Sequence, residues 1–362
     1  MSRTISVAVN MLWCVSGEVG GSEEYLLRQL AGLAEIQAPY EVTVFAPRGF
    51  SAVHPDLAAI HRVIEAPSTC RRREVRVLLE HTWLARQVSQ SEIVHHGGGI
   101  LPSRSRQTTL LTVHDIQYLT YPEYFSERKL KYLRNRVPSS ITRASAVAVP
   151  SAYVAATLVE SFGVSPEKIQ VVRHGVSDSL GSRATAEAEL RERFGLGNAD
   201  VLFLPAVTHP HKNHEFLLQL LATRWTSPNL RLVLAGGKGR SESAVQQQIS
   251  ALGIADRVVR VGRVGPDDRD GLIKMAMALV FPSSYEGFGA PVLEAMKLGT
   301  PVIASDRTSI PEVLGGAGLV LPLRIDAWSG ALEQVRQRRS ELIELGRQRA
   351  KQFTDIKSAQ DL

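Results

Sequence analysis

Two glutamates eight positions apart bracket the stretch Glu286-Gly287-Phe288-Gly289-Ala290-Pro291-Val292-Leu293-Glu294. An ionised carboxylate accepts strong hydrogen bonds from hydroxyl groups, so the pair suits a hydroxyl-rich ligand. Between them Pro291 fits the first position of a helix, and Gly299 fits the stop after Met296-Lys297-Leu298. A helix start following a glycine-rich loop presents backbone N–H groups to phosphate without any special side chain. Acids on either side of a phosphate seat describe a site for a diphosphate flanked by two sugars, which is a nucleotide sugar. Spacing alone also fits a plainer reading, a strand–turn–helix whose glutamates cap and solvate the helix.

Four further groups of residues bear on that chemistry. Lys212, in Thr208-His209-Pro210-His211-Lys212-Asn213, sits just outside a helix start that Asn213 is suited to cap. Lysine is a point charge able to follow negative charge as it moves onto a departing diphosphate. Gly20 and Gly21, in Gly17-Glu18-Val19-Gly20-Gly21-Ser22, allow close backbone approach, and Ser22 can cap the helix that follows. His114 ends the apolar run Leu110-Leu111-Thr112-Val113, where an imidazole can donate to a sugar hydroxyl or hold the neighbouring Asp115. Asp268-Arg269-Asp270 matches an Asp-x-Asp metal motif, but Pro266-Asp267-Asp268 reads as a helix start, where carboxylates are routine, so no metal is expected.

The elements that must position these residues alternate along the chain. Short β-branched runs are expected as strands at 5–9, 41–46, 93–95, 109–113, 146–149, 169–172, 201–206, 231–235, 258–261, 278–281 and 302–304. Helical patterns fall between them, at 22–36, 72–88, 126–141, 152–162, 213–222, 241–252, 268–276 and 292–298. Strand and helix in alternation argue for parallel sheets and an α/β fold. The break falls where Arg173-His174-Gly175-Val176 leaves a strand for a polar stretch. Two doubly wound domains are expected, 1–175 and 176–340, facing a central ligand cleft, with a helical tail at 341–362.

Composition narrows the function classes. The 362 residues hold 42 Lys and Arg against 36 Asp and Glu, a net charge of +6. That excess suits anionic ligands or an anionic membrane face. It lacks the aromatic and basic interleaving of a nucleic-acid surface. Two basic runs stand out, Arg71-Arg72-Arg73 with Arg76, and Arg336 with Arg338-Arg339; each reads either as a solvated helix face or as a seat for lipid headgroups. Two cysteines, Cys14 and Cys70, exclude a disulfide framework and fit a reduced cytoplasmic setting. No 18-residue apolar stretch is present, and residues 1–9 read as a first strand and not as a secretory signal. The Gly-x-Gly-x-x-Gly fingerprint is missing, and Gly236-Gly237-Lys238-Gly239 has neither the spacing nor the ending of a P-loop, which disfavours nicotinamide, flavin and nucleotide hydrolysis.

The phrase Pro282-Ser283-Ser284-Tyr285-Glu286-Gly287-Phe288-Gly289, continued through Pro291, Leu293-Glu294-Ala295 and Gly299-Thr300-Pro301-Val302, resembles the Glu-x7-Glu signature of retaining glycosyltransferases with the GT-B fold, family 4 above all. That resemblance implies two Rossmann-like domains and front-face transfer of a hexosyl group from a nucleotide-diphosphate sugar, with no metal and no cofactor. It implies that Glu294 holds the ribose and Glu286 the sugar hydroxyls, with Gly287, Phe288, Gly289, Pro291 and Val292 around the phosphates. Lys212 resembles the family's diphosphate lysine, although Ala206-Val207-Thr208 stands where many relatives carry an arginine, so His209, His211 or Arg263 would have to compensate. Gly236 resembles the donor loop, and Gly262, Arg263 and Val264 the segment beside the nucleotide base. In the first domain, His114 resembles the residue that contacts the transferred sugar, and Gly20, Gly21 and Asp115 lie on the acceptor side. Val113-His114-Asp115, Tyr121-Pro122-Glu123 and Pro210-His211-Lys212-Asn213 look closest to bacterial mannosyltransferases of polysaccharide biosynthesis. These point to GDP-mannose and to a glycan, lipid-linked or small-molecule acceptor. Two rivals share the fold: a nucleotide-sugar epimerase, which needs no acceptor, and a non-catalytic nucleotide-sugar-binding subunit, which would not need Lys212, Glu286 and Glu294.

Overall fold

The computed structural model describes residues 4–15, 20–36, 39–103 and 107–362; Gly17, Glu18 and Val19 of the first glycine-rich loop lie outside them. The chain forms two compact units, Met1–Gly175 together with Thr354–Leu362, and Val176–Phe353. The second unit thus runs on to Phe353, past the expected boundary at 340, and only the last nine residues return to the first.

In the first unit the strands are β1 (Ile5–Asn10), β2 (Tyr40–Ala46), β3 (Arg62–Glu65), β4 (Ile93–His96), β5 (Thr108–Thr112), β6 (Ala146–Val149) and β7 (Ile169–Val171). They form one sheet in the order β3-β2-β1-β4-β5-β6-β7, every pair parallel. Successive side chains of a strand point to opposite faces. Accordingly Val9 of β1 joins a core with Tyr25 and Leu26, whereas Ala8 joins a separate cluster with Leu12, Leu84 and Val94. Helices α1 (Gly21–Glu35), α2 (Arg73–Leu79), α3 (Glu127–Arg143) and α4 (Ala152–Phe162) make the connections. The expected helix over 72–88 is broken: after α2 come a π-helical turn, Glu80–Leu84, and short turns to Gln90. His81 and Thr82 each bond back to the carbonyl four residues earlier, at 2.7 Å, and such side chains compete with the helical ladder.

In the second unit β8 (Asp200–Pro205), β9 (Leu230–Ala235), β10 (Val258–Gly262), β11 (Ala278–Phe281), β12 (Val302–Ser305) and β13 (Leu319–Leu321) lie in the order β10-β9-β8-β11-β12-β13, again all parallel. Residues 201–204 and 278–281 are fully buried, as expected of central strands covered on both faces. Helices α5 (His214–Thr223), α6 (Glu242–Ala251), α7 (Pro266–Met275), α8 (Ala290–Leu298) and α9 (Arg339–Ala350) pack around them, and α10 (Asp355–Asp361) ends the chain in the first unit. Each unit is a doubly wound, Rossmann-like α/β domain. The edge strands β3 and β13 were not anticipated: Arg-Val-Ile-Glu and Leu-Val-Leu are too short to show a strand period.

Candidate donor site in the second unit

The sheet of the second unit delivers its site residues on loops at the carboxyl ends of β8, β9, β10, β11 and β12, where open α/β sheets bind ligands. After β8, Pro210–Lys212 makes a single 3-10 turn. Asn213 follows in a left-handed conformation, φ 51°. Its side chain donates to the Pro282 carbonyl at 2.8 Å and does not cap α5, correcting the sequence expectation. His211 contributes its carbonyl, which accepts the Ser284 N–H at 2.8 Å. The loop after β8 is therefore stitched to the loop after β11, and Lys212 Nζ meets Glu286 Oε1 at 2.5 Å. The ammonium also lies 5.4 Å from the centroid of the Phe281 ring.

The other flank of the β11 loop is laced by hydroxyls from the end of β12. Ser305 Oγ donates to the Ser283 carbonyl at 2.5 Å. Thr308 Oγ1 accepts the Glu286 N–H at 3.0 Å, and Ser309 Oγ reaches the carbonyls of Glu286 at 3.1 Å and Phe288 at 2.9 Å. Ser305, Thr308 and Ser309 were missed from sequence, because a loop serine or threonine carries no period. The available signal was three hydroxyls within five residues beyond a buried strand, each able to bond a neighbouring backbone. Gly289, with φ 96°, caps α8, which starts at Ala290, so Pro291 takes the second helical position and Val292 follows it into the core. Glu294, one turn on, is buried at 2% exposure, and Arg269 Nε lies 3.9 Å from its Oε2.

The β9 and β10 loops close in on the β8 loop. Gly236 has φ 148°, and a Cβ there would stand 2.3 Å from the Ala206 carbonyl oxygen, so only glycine fits. Its N–H donates to the Gly262 carbonyl at 2.7 Å. Gly262 and Arg263 are exposed, Val264 is half-buried against the core, and Arg263 lies over Gly237, where a Cβ would come within 2.8 Å of its Nε. Of the candidates to replace the missing arginine, His211 is held neutral, its pKa pushed down to about 3 by burial and by the neighbouring Lys212 charge. It stacks on His209 with ring centroids 5.8 Å apart. Arg263 is the permanent cation among them. Asp268 and Asp270 are spent inside the unit: Asp268 accepts from Thr185 at 2.6 Å and Arg193 at 2.7 Å, and Asp270 from the Gly181 N–H at 2.9 Å. Among the described residues no three or more His, Cys, Asp or Glu side chains gather in a way that could hold a metal ion.

The remaining site residues belong to the first unit. Gly20 precedes α1 and its carbonyl accepts the Glu23 N–H at 2.9 Å; Gly21 is the first helical residue, so Ser22 lies inside the helix and does not cap it. His114 Nε2 faces the Gly97 carbonyl at 2.8 Å. A carbonyl only accepts, so Nε2 carries the proton and Nδ1 is left as an acceptor. Burial pushes the His114 pKa down to about 4, keeping the ring neutral. The Gly97 contact thus settles the tautomer that the sequence left open between donation to a sugar hydroxyl and a hold on Asp115. Asp115 is exposed and accepts the Gln117 N–H at 2.9 Å, its own turn and not His114. Tyr25 of α1 touches the edge of the His114 ring, centroids 5.5 Å apart, and packs on His174 at 4.4 Å.

Comparison with known proteins adds family relationships to this geometry. A model described as Glycosyltransferase Family 4 matches residues 19–180, and one described as Glycosyl transferases group 1 matches residues 187–352. The chain is 30% identical to O-antigen chain mannosyltransferase B of Escherichia coli, over 68% of this chain and 66% of the relative. It is also 30% identical to O-antigen chain mannosyltransferase RfbU of Salmonella typhimurium, over 76% of this chain and 74% of that one. In fold it is similar to Anabaena HepE, crystallised with UDP and glucose (TM-score 0.76, 20% identity, 98% of this chain and 97% of that one). WaaG, a glycosyltransferase involved in lipopolysaccharide biosynthesis, is another neighbour (TM-score 0.71, 16% identity, 98% and 97% covered).

Proposed function

The chain belongs to the group 1, family 4 glycosyltransferases, and we propose that it moves mannose from GDP-mannose to a hydroxyl of a glycan, lipid-linked or small-molecule acceptor, with retention and without a metal. The observation that carries the reading is the Lys212–Glu286 pair at 2.5 Å, presented by two loops stitched together at the carboxyl ends of adjacent strands. A cation there meets the leaving diphosphate, whose negative charge grows in the transition state. Glu286 beside it accepts from sugar hydroxyls, Glu294 from the ribose, and Arg263 adds the charge that no upstream arginine supplies. Gly236, Gly262 and Val264 line the nucleotide, with Gly287, Phe288, Gly289, Pro291 and Val292 at the phosphates. His114, neutral and with Nδ1 free to accept, takes a sugar hydroxyl and not a proton in acid–base catalysis; Gly20, Gly21 and Asp115 serve the acceptor. Mannose is supported by the two O-antigen chain mannosyltransferases at 30% identity.

The test is a thermal-shift panel of GDP, UDP, dTDP and ADP, followed by transfer from GDP-mannose with and without EDTA. A ligand that binds the native state raises its melting temperature by mass action. GDP should give the largest shift, EDTA should leave the rate unchanged, and the product should keep the donor's anomeric configuration. A larger shift with UDP would replace the donor; product formed without acceptor would favour the epimerase.

Peripheral contact with an anionic membrane, in a cytoplasmic enzyme, belongs to the same proposal. No helix among the described residues is long and apolar enough to cross a bilayer. Residues 127–143 hold six cationic side chains against one carboxylate, and residues 71–79 four against one, so these two segments exceed the whole chain's net charge of +6. They adjoin: the Arg73 guanidinium lies 3.5 Å over the Tyr132 ring, beside Leu78 at 62% exposure. Basic side chains around exposed apolar ones suit an anionic lipid surface. Arg136 and Arg143 of the first surface also bond backbone carbonyls, Leu101 at 3.0 Å and Ser103 at 2.7 Å; in the second basic run all three arginines do so or pair with acids, Arg336 on Asp200 at 3.2 Å, Arg338 on Glu341 at 2.7 Å and Arg339 on the Met277 carbonyl at 2.7 Å. The protein should co-sediment with phosphatidylglycerol vesicles and not with phosphatidylcholine alone, and Arg72→Glu with Arg128→Glu should abolish this. Equal pelleting with both lipids refutes the surface.

A further inference from the structure

Three non-glycine residues among those described have a left-handed backbone, Cys70, Asn213 and Thr308. Asparagine tolerates that region, but a β-branched threonine at φ 54° is a steric outlier. Such a conformation persists only where its surroundings over-determine it, and these outliers gather at functional loops. Around Thr308 the surroundings are specific. Its Oγ1 accepts the Glu286 N–H at 3.0 Å, while the fully buried Ser309 places its hydroxyl between the carbonyls of Glu286 and Phe288. Both backbone polar groups of Glu286 thus end on side chains of one turn, and its carboxylate ends on Lys212. A residue fixed at both its N–H and its C=O has the direction of its Cα–Cβ bond set, and the Lys212 ammonium then holds the carboxylate end.

We propose that Thr308 is a positioning residue: its strained turn fixes the Glu286 backbone so that the carboxylate stands against the Lys212 ammonium, where it is to meet the donor sugar. The inference rests on the reading of Glu286 as the carboxylate that grips the sugar. A turn that needed only a left-handed residue would take glycine or asparagine without strain. What threonine adds at 308 is the hydroxyl that accepts the Glu286 amide.

The experiment separates hydroxyl from backbone. Thr308→Gly relieves the strain and deletes the hydroxyl, whereas Thr308→Ser keeps the hydroxyl. Amide hydrogen exchange over 284–289, melting temperature, and calorimetric affinity for GDP-mannose and for GDP are measured on each protein. Leaving a partly buried donor unsatisfied has a mutational effect of roughly five- to hundredfold. Thr308→Gly should therefore exchange the Glu286 amide at least about tenfold faster with an undiminished melting temperature, and lose about tenfold for GDP-mannose but little for GDP. Thr308→Ser should match the wild type in all four readouts. Unchanged exchange at Glu286 in Thr308→Gly overturns the proposal, as does a Thr308→Ser protein that fails as badly as the glycine variant. If the wild type binds neither probe, the donor assignment falls, and the exchange comparison still decides whether Thr308 holds Glu286.

Discussion

At the scale of single residues, charge placement carries the functional reading. Lys212 is the one cation that the sequence motif, the β8 loop and the Glu286 contact all single out. In the proposed mechanism Lys212 faces a developing anion; replacing it by alanine removes that charge, and the loss of one such group lowers turnover by about 100- to 1,000-fold. Lys212→Ala should therefore retain its fold by circular dichroism, lose donor affinity by calorimetry, and fall in kcat by that factor; unchanged turnover removes Lys212 from the mechanism. Lys212→Arg should not restore full activity, because a planar fork cannot reproduce a compact ammonium at 2.5 Å from a carboxylate. Glu294 poses a separate question at this scale. It is buried against Arg269, so Glu294→Gln keeps the volume and removes the charge. Weakened nucleotide binding with a near-normal melting temperature is expected; normal binding would reassign Glu294 to holding Arg269 alone.

At the scale of elements, the closing contact of the first unit is made by its most distant piece of sequence. Helix α10 lies on α1 where Gly32 has no side chain: a Cβ there would stand 2.2 Å from the Asp355 carbonyl oxygen. Ser358 Oγ donates to the Arg173 carbonyl at 2.6 Å, and the Thr354 side chain caps α10 on the Lys357 N–H. Arg28, on the same helix as Gly32, donates to the Gly175 carbonyl at 2.8 Å. Gly32→Val forces α10 off α1, and overpacking of this kind destabilises by about 1–3 kcal/mol. Urea titration should show the midpoint falling, and deletion of residues 354–362 should do the same. A variant with an unchanged midpoint would mean that α10 rests on α1 without stabilising it.

At the scale of the whole molecule, buried histidines link stability to pH. Burial pushes His95 and His211 down to about 3, and His96, His114 and His214 down to about 4. Each lies below the ordinary histidine value of 6.5, so the folded chain keeps these rings neutral while the unfolded chain takes up protons first. Their contribution is fully present above pH 6.5 and is lost as pH falls from there toward 4. Each such ring adds a slope of up to about 1.4 kcal/mol per pH unit across that window. The melting temperature should therefore drop steadily between pH 7 and pH 5 at constant ionic strength. A flat profile over that range would show that the rings are hydrated in the native state. The five rings are spread over both units, so no single substitution should abolish the effect.

The sequence alone determined the alternation of strand and helix, the break at Gly175, and the glutamate phrase with its strand, loop and helix, because apolar periods and glycine or proline punctuation are local properties. Strand 278–281 and helix 152–162 can be read to the residue for that reason. Tertiary structure decided the rest. Which carbonyl accepts from His114, which hydroxyls hold Glu286, and where Asn213 spends its amide are set by residues 17 to 69 positions away, and no local pattern encodes such a partner. The return of α10 to α1 is likewise a contact across most of the chain, fixed by a missing Cβ and a few hydrogen bonds that only the folded backbone brings together.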